Sequence, residues 1–368
     1  MTIAAPAQPR FIPRAYYLPA LLVVIGLVLL SVFWLTSRYP SLLGKLAHVG
    51  QTVPSMAYSS ELIPVAPGAP LWQVILFGAI NWINGMKIGM TFGVLFGALL
   101  HTVLRHYPLK VGSNVVFNAF KGAMIGVPMG VCANCAVPAA CGVTRGNARV
   151  EVALGFLFSS PNFNPVVMVM TFVALPWTMG VTKYAVLLFV ILVVVPALIR
   201  WLERDTPRLA GVSAGAPGSE ACAVEFAPAP REASFSVVLK TLAAEYARNV
   251  WMLAKPTIAI MLVASLAASA LLVLVPWQQL LAEVTPVKVL LLSLISVFMP
   301  VPIALDVMFA AQLQQQGVAP GYVMLFAMTL GTFSIVPAIY LWREVSKRLS
   351  MALFGFFVLI GSVLALLF

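Results

Sequence analysis

Apolar residues run through this chain in long blocks, with polar residues gathered at the block ends or at a few points inside them. A helix needs roughly 20 such residues to cross a hydrocarbon layer about 30 Å thick. The first block, Tyr17 to Leu35, has that length and follows Arg10 and Arg14. A stretch rich in Pro, Ser and Gly, residues 36–70, reads as an outer loop. The next run, 71–104, is too long for one upright span and is interrupted by Asn81, Asn84 and Lys87, so it reads as a surface helix joined to a span. Arg105, His106 and Lys110 mark its cytoplasmic end.

The block 113–145 has 33 residues, which as one straight helix would reach roughly 50 Å. Gly126, Pro128, Gly130, Pro138 and Gly142 cluster at its centre, so the spacing predicts a re-entrant hairpin. Spans follow near 150–176 and 180–202, the first broken at Ser-Ser-Pro-Asn-Phe-Asn-Pro. Residues 203–235 are small, polar and rich in Pro and Ala, the composition of a disordered linker. Beyond it the plan recurs. A partly charged helix, 236–255, leads to a span at 256–276, and the run Val287 to Gln316 is broken at Met299-Pro300-Val301-Pro302. A span at 319–342 carries its own break, GTFSIVP, and 349–368 closes the chain.

These elements predict an all-α polytopic membrane protein of about seven to nine transmembrane helices. Its divisions are an N-terminal segment 1–70, a first membrane repeat 71–202, the linker 203–235 and a second repeat 236–368. Each repeat has three crossings and one Pro/Gly-broken re-entrant hairpin. An odd number of crossings turns the second repeat over relative to the first, and inverted repeats with broken helices are a secondary-transporter design.

Composition agrees: 61% of residues are hydrophobic, 9% are charged and mean hydropathy is +1.00, against about 25% charged in soluble domains. The formal charge of +11 lies at the ends of apolar blocks, which fits membrane orientation and excludes a nucleic-acid stripe. The basic residues before the first block are followed by no small-residue cleavage site, so an uncleaved first span is expected. The expected setting is a multi-pass protein of the cell inner membrane, with the N-terminus and central linker cytoplasmic. There is no P-loop, no HExxH and no nucleophile elbow. The reading is therefore a non-enzymatic permease without a cofactor and without ATP-driven pumping of its own.

The candidate chemistry centres on Cys132, Cys135 and Cys141, three of four cysteines within ten positions. Thiolate is a soft ligand, suited to trivalent arsenic, Cu(I) or Zn rather than to hard ions. Four cysteines in 368 residues, three of them clustered, do not make a disulfide framework. Pro138 is placed in the first turn of the second half-helix, whose positive end favours thiolate formation and makes the trio a metal or metalloid site. Asn134, Asn162 and Asn164 are candidate cavity-lining groups. Asp306, four positions past Pro302, is an acid inside an apolar run, which costs roughly 2.5–3.5 kcal/mol and so needs a reason. It is the candidate for counter-charge or coupling to protons, paired with Lys87 or Lys121. Cys222 reads as an incidental linker thiol, and His48, His101 and His106 form no ligand set.

The chain resembles the ArsP-type permeases over most of residues 80–368. In the first half the resemblance rests on Cys132, Cys135 and Pro138, then Gly146, then Ser160, Pro161 and Asn164. In the second it rests on the Pro-containing break, the helix that follows it and the basic segment at Arg343 to Arg348. The resemblance implies efflux of a soft metalloid, typically a trivalent organoarsenical. This chain has C-A-N-C where the family tends to have C-x-C, and adds Cys141. Two further readings share the site: a transmembrane thiol–disulfide electron relay through Cys132 and Cys135, and a transporter of another soft metal ion or a sulfur-containing anion. The expected partners are the bilayer, the small solute and coupling protons.

Overall fold

A computed structural model describes residues 14–47, 62–66, 68–107, 112–145, 149–205, 235–275, 277–281 and 283–368. Arg10, His48, Gly146, Cys222 and the linker from 206 to 234 lie outside the described residues. Every regular element described is a helix.

The chain opens with α1 (Arg14–Phe33), a π-turn at Trp34–Arg38 and α2 (Tyr39–Ala47). The expected loop from residue 36 is thus helical to 47. Pro40 ought to break the helix, because it lacks an N–H and collides with the carbonyl four residues back. That carbonyl belongs to Thr36, inside the π-turn, where the wider winding makes room. The same device recurs between α8 (Trp177–Phe189) and α9 (Val195–Asp205), where a π-turn at Val190–Val194 contains the carbonyl facing Pro196.

The block expected to split into a surface helix and a span is one helix of 36 residues, α3 (Leu71–His106). Asn81 does not interrupt it. Its side chain accepts from the Leu62 and Ile63 N–H groups, both at 2.9 Å, and donates to the Ile63 carbonyl at 2.8 Å. The polar residue is used to hold the preceding segment against the helix.

The block expected to form the first hairpin consists of two short apolar helices joined by a turn. α4 (Val115–Gly126) is capped by Asn114, whose side chain accepts from Val116 and Phe117. The chain then turns through Val127–Met129 and through Gly130, left-handed at φ +59°, into α5 (Ala133–Arg145). Next come α6 (Val150–Asn162) and α7 (Pro165–Ala174), bent by 47° at the Ser-Pro-Asn break. Asn164 caps α7 and Pro165 is its first residue, which fixes where the new helix starts.

The second half opens with α10 (Phe235–Leu274), one helix where a charged segment and a separate span were expected, and the short α11 (Trp277–Leu281). The second hairpin is α12 (Pro286–Phe298) and α13 (Leu305–Gln315). The expected span 319–342 is two ten-residue helices, α14 (Pro320–Thr329) and α15 (Ile335–Glu344), with Ser334 capping the second. α16 (Lys347–Leu367) ends the chain. Among the described residues, five helices are long and apolar enough to cross a membrane, and six if α6–α7 counts as one. The protein is an all-helical polytopic membrane protein. By length alone the count falls short of seven because the break before Ser334 halves the last bent element.

The two halves correspond element by element: α3, a hairpin, a broken helix and α8–α9 against α10, a hairpin, a broken helix and α16. Their contacts correspond too. α5 of the first hairpin packs on α15, and α13 of the second packs on α7, while α3 meets α10 and α9 meets α16. Exchanging the halves maps this contact set onto itself. Close approach depends on glycine at one seam. Gly89, Gly93 and Gly97 recur every four residues along one face of α3, and side chains there would run into Cys135, Pro138 or Ala139 of α5.

Candidate functional site

The four chain breaks converge. Asn134, in the first turn of α5, donates to the Val301 carbonyl in the tip of the second hairpin at 3.2 Å. It accepts from the Ser334 hydroxyl, the cap of α15, at 2.6 Å. Asn162, at the end of α6, accepts from Thr332 in the α14–α15 break at 3.4 Å. Trp82 of α3 donates its indole N–H to the Pro300 carbonyl at 3.0 Å. Broken backbone is tolerated at membrane depth where its polar groups are satisfied by protein, and here the breaks largely satisfy one another. Asn134 and Asn162 therefore tie the halves together. Asn164 does not reach across: it caps α7 and donates to the Ser160 and Pro161 carbonyls, both at 3.0 Å.

Cys132 and Cys135 lie at the first hairpin's tip, both buried, with Cα atoms 5.1 Å apart and joined in a disulfide. The Cys135 N–H points at the Cys132 sulfur from 3.2 Å. Pro138 is not in the first turn of α5. It is the sixth residue, where it removes the backbone donor to the Asn134 carbonyl. Cys141 is six residues beyond Cys135 on the same helix, a rise of about 9 Å, and is buried. Among the described residues no three His, Cys, Asp or Glu side chains gather in a metal-binding group. The structure brings together two of the three sulfurs proposed as a metal site, and Cys141 stands apart from them.

Asp306 is buried at the start of α13, after Ala304 in a left-handed conformation at φ +63°. Its partner is neither Lys87 nor Lys121. Lys183 of α8, fully buried, reaches the Asp306 carboxylate at 2.5 Å. Gly331, in the α14–α15 break, lies so close that a Cβ would stand 2.7 Å from the Asp306 carboxyl carbon. Lys87 is exposed on α3 beside Met86, Met90 and Met261 in a cleft between α3 and α10. Lys121 lies over the Phe117 ring at 4.7 Å. His106 pairs with Glu245 of α10 at 2.9 Å.

A model of the predicted-permease family ArsP matches residues 81–368. The chain belongs to the ArsP-type family of predicted permeases. No curated protein matches the chain, and no solved structure matches it. The match begins at Asn81, so the permease carries α1 and α2 outside the matched region. Those helices still touch the site. Trp34 donates to the Pro128 carbonyl at 2.6 Å, and Arg38 is buried against Gly130. Sequence reading passed over Lys183 and Arg38 because a single cation near the end of an apolar block looks like an interfacial anchor. Only the fold turns them inward.

Proposed function

We propose that this permease is a secondary transporter exporting a soft, thiol-reactive solute, with a trivalent organoarsenical as the first candidate. The observation that carries the reading is the position of the Cys132–Cys135 pair. It lies beside Asn134, the residue that joins the tip of one hairpin to the tip of the other and to the cap of α15. A solute held there touches both halves, which is the place where a rocking motion of one half against the other changes access. The binding form is the reduced pair, produced when a dithiol reductant supplies two electrons and two protons to the disulfide. Two thiolates then take a monomethylated arsenic(III) centre. Asn134 and Asn162 line the junction, and Asp306 with Lys183 supplies a buried charge pair through which proton coupling acts.

The test is transport into everted membrane vesicles with methylarsenite, arsenite, Cu(I) and Hg(II), with and without a proton gradient. Uptake of methylarsenite that vanishes on replacing Cys132 supports the reading. Equal uptake by vesicles lacking the protein removes it.

A second reading, a thiol–disulfide electron relay, is favoured by the disulfide itself. A mixed disulfide between Cys132 or Cys135 and a soluble dithiol partner, trapped in membranes, would support it. The described residues offer no cysteine in the second hairpin to receive the electrons, so transport is the stronger reading.

A further inference from the structure

Arg38 is a buried cation with an unsatisfied donor. It is 7% exposed, and its Nε has no hydrogen-bond partner. Its described neighbours are aromatic or small: the guanidinium carbon lies 4.6 Å from the Phe33 ring centre, and the side-chain stem rests on Gly130. Burying a guanidinium without an anion is unfavourable, and a cation–π contact offsets that only in part.

The head of Arg38 faces the cysteine pair. A Cβ placed on Gly89 would stand 3.3 Å from Arg38 Nη2 and 3.1 Å from Cys135 Sγ. Guanidinium and sulfur thus come close together at the point where α3 carries no side chain, and a methyl there would press on both. Nε and Nη2 form one edge of the guanidinium, the two-pronged edge that matches a pair of oxyanion oxygens. Of that edge, Nε is unpartnered and Nη2 lies on the cysteine side.

We propose that Arg38, with Gly89 and Cys135, forms an anion subsite, and that the solute is a soft-centred oxyanion. Its soft atom faces the Cys135 sulfur and its charged oxygens face the Nε–Nη2 edge. The inference rests on the reading of the cysteine pair as the solute site and narrows the class of solute. A bis-thiolate adduct of methylarsenic(III) is neutral and leaves Arg38 uncompensated. Thiosulfate, or an arsenical in its oxyanion form, does not. The cation of the subsite comes from the π-turn ahead of the matched region, while Gly89 and Cys135 lie within it.

The experiment uses the full chain in everted vesicles and measures uptake of labelled thiosulfate and of methylarsenite side by side, with sulfate as the competing hard anion. The parent should carry thiosulfate in preference to sulfate. Arg38→Gln should lower the thiosulfate-to-methylarsenite uptake ratio by about tenfold or more, the worth of a charge-assisted pair of hydrogen bonds. Arg38→Lys keeps the charge and protects folding but loses the fork, and should give an intermediate ratio. Gly89→Ala should lower the ratio by pressing the guanidinium and the Cys135 sulfur out of their alignment. Arg38-dependent thiosulfate uptake without any methylarsenite uptake would support the subsite while removing the arsenical reading. No thiosulfate uptake by the parent, or an unchanged ratio in Arg38→Lys and Gly89→Ala at normal protein level, would overturn the proposal.

Discussion

Lys183 and Asp306 form an ion pair that joins the two halves of the protein, the lysine from α8 of the first and the aspartate from the hairpin of the second. Both are essentially withdrawn from solvent, at 0% and 2% exposure. Two charges in such a place are held by each other, and removing one strands the other at a cost of about 3–5 kcal/mol. Asp306→Asn and Lys183→Met alone should each lower the amount of folded protein in membranes. The double variant Lys183→Met with Asp306→Asn should recover it, because no charge is left unpaired. If the pair serves proton coupling, the double variant's transport should no longer respond to a pH gradient, since neither replacement titrates near neutrality. A gradient response equal to the parent's would assign the pair a purely structural role. Fluorescence-detected size-exclusion and gradient-driven uptake separate the two outcomes.

Asn134 offers a sharper view of the junction because its two contacts cross between halves. Asn134→Ala removes both the bond to the Val301 carbonyl and the acceptor for Ser334. A buried polar partner left unsatisfied costs about 1–3 kcal/mol. Ser334→Ala removes one contact and also the cap of α15, worth about 1 kcal/mol. A double-mutant cycle on thermal stability in detergent should therefore be non-additive, with the combined loss smaller than the two losses taken separately. Strict additivity would mean that the two side chains do not share an interaction.

The orientation of the halves is open to labelling. If each repeat crosses three times, the second is turned over, and the ends of the two hairpins should face opposite sides of the membrane. Cysteines placed at Asn147 and at Gln316 in a background without native cysteines should react with an impermeant thiol reagent from opposite faces. Reaction of both from one face would be incompatible with inverted repeats.

Much of this architecture was legible from block lengths and breaks. The hairpins at 113–145 and 287–316 and the Ser-Pro-Asn break followed from the impossibility of running 30 or so residues straight through a 30 Å layer. What escaped was decided by contacts between distant segments. Pro40 was placed in a loop because the π-turn that accepts it leaves no mark in composition. Asn81 looked like an interruption because its partners, Leu62 and Ile63, lie in a segment without a pattern of its own. Asp306 was recognisable as anomalous, but no periodicity could select Lys183 over Lys87 or Lys121, since pairing between halves depends on how the repeats pack. Arg38 was invisible for the same reason.

The cysteine pair gives the most direct test of the solute reading. Serine is close in size to cysteine but offers a hard oxygen, so Cys132→Ser or Cys135→Ser removes soft-ligand affinity without opening a cavity. Either change should abolish uptake of a two-thiolate ligand while protein level stays near that of the parent. Losing the disulfide closes no long loop, since the two residues are only three apart, and the expected stability cost is correspondingly small. Cys141 lies six residues further along α5, beyond the reach of a centre bound by the first two sulfurs. Cys141→Ser should therefore lower methylarsenite uptake by less than about twofold. It should also have no larger effect on arsenite, which could use a third thiolate only if all three sulfurs met at one point. A strong, arsenite-selective loss in Cys141→Ser would show that α5 unwinds or shifts during transport to bring the third sulfur in. Uptake by the triple variant at the parent's rate would move the solute site away from sulfur altogether, toward the Asn134–Asn162 junction and the Lys183–Asp306 pair.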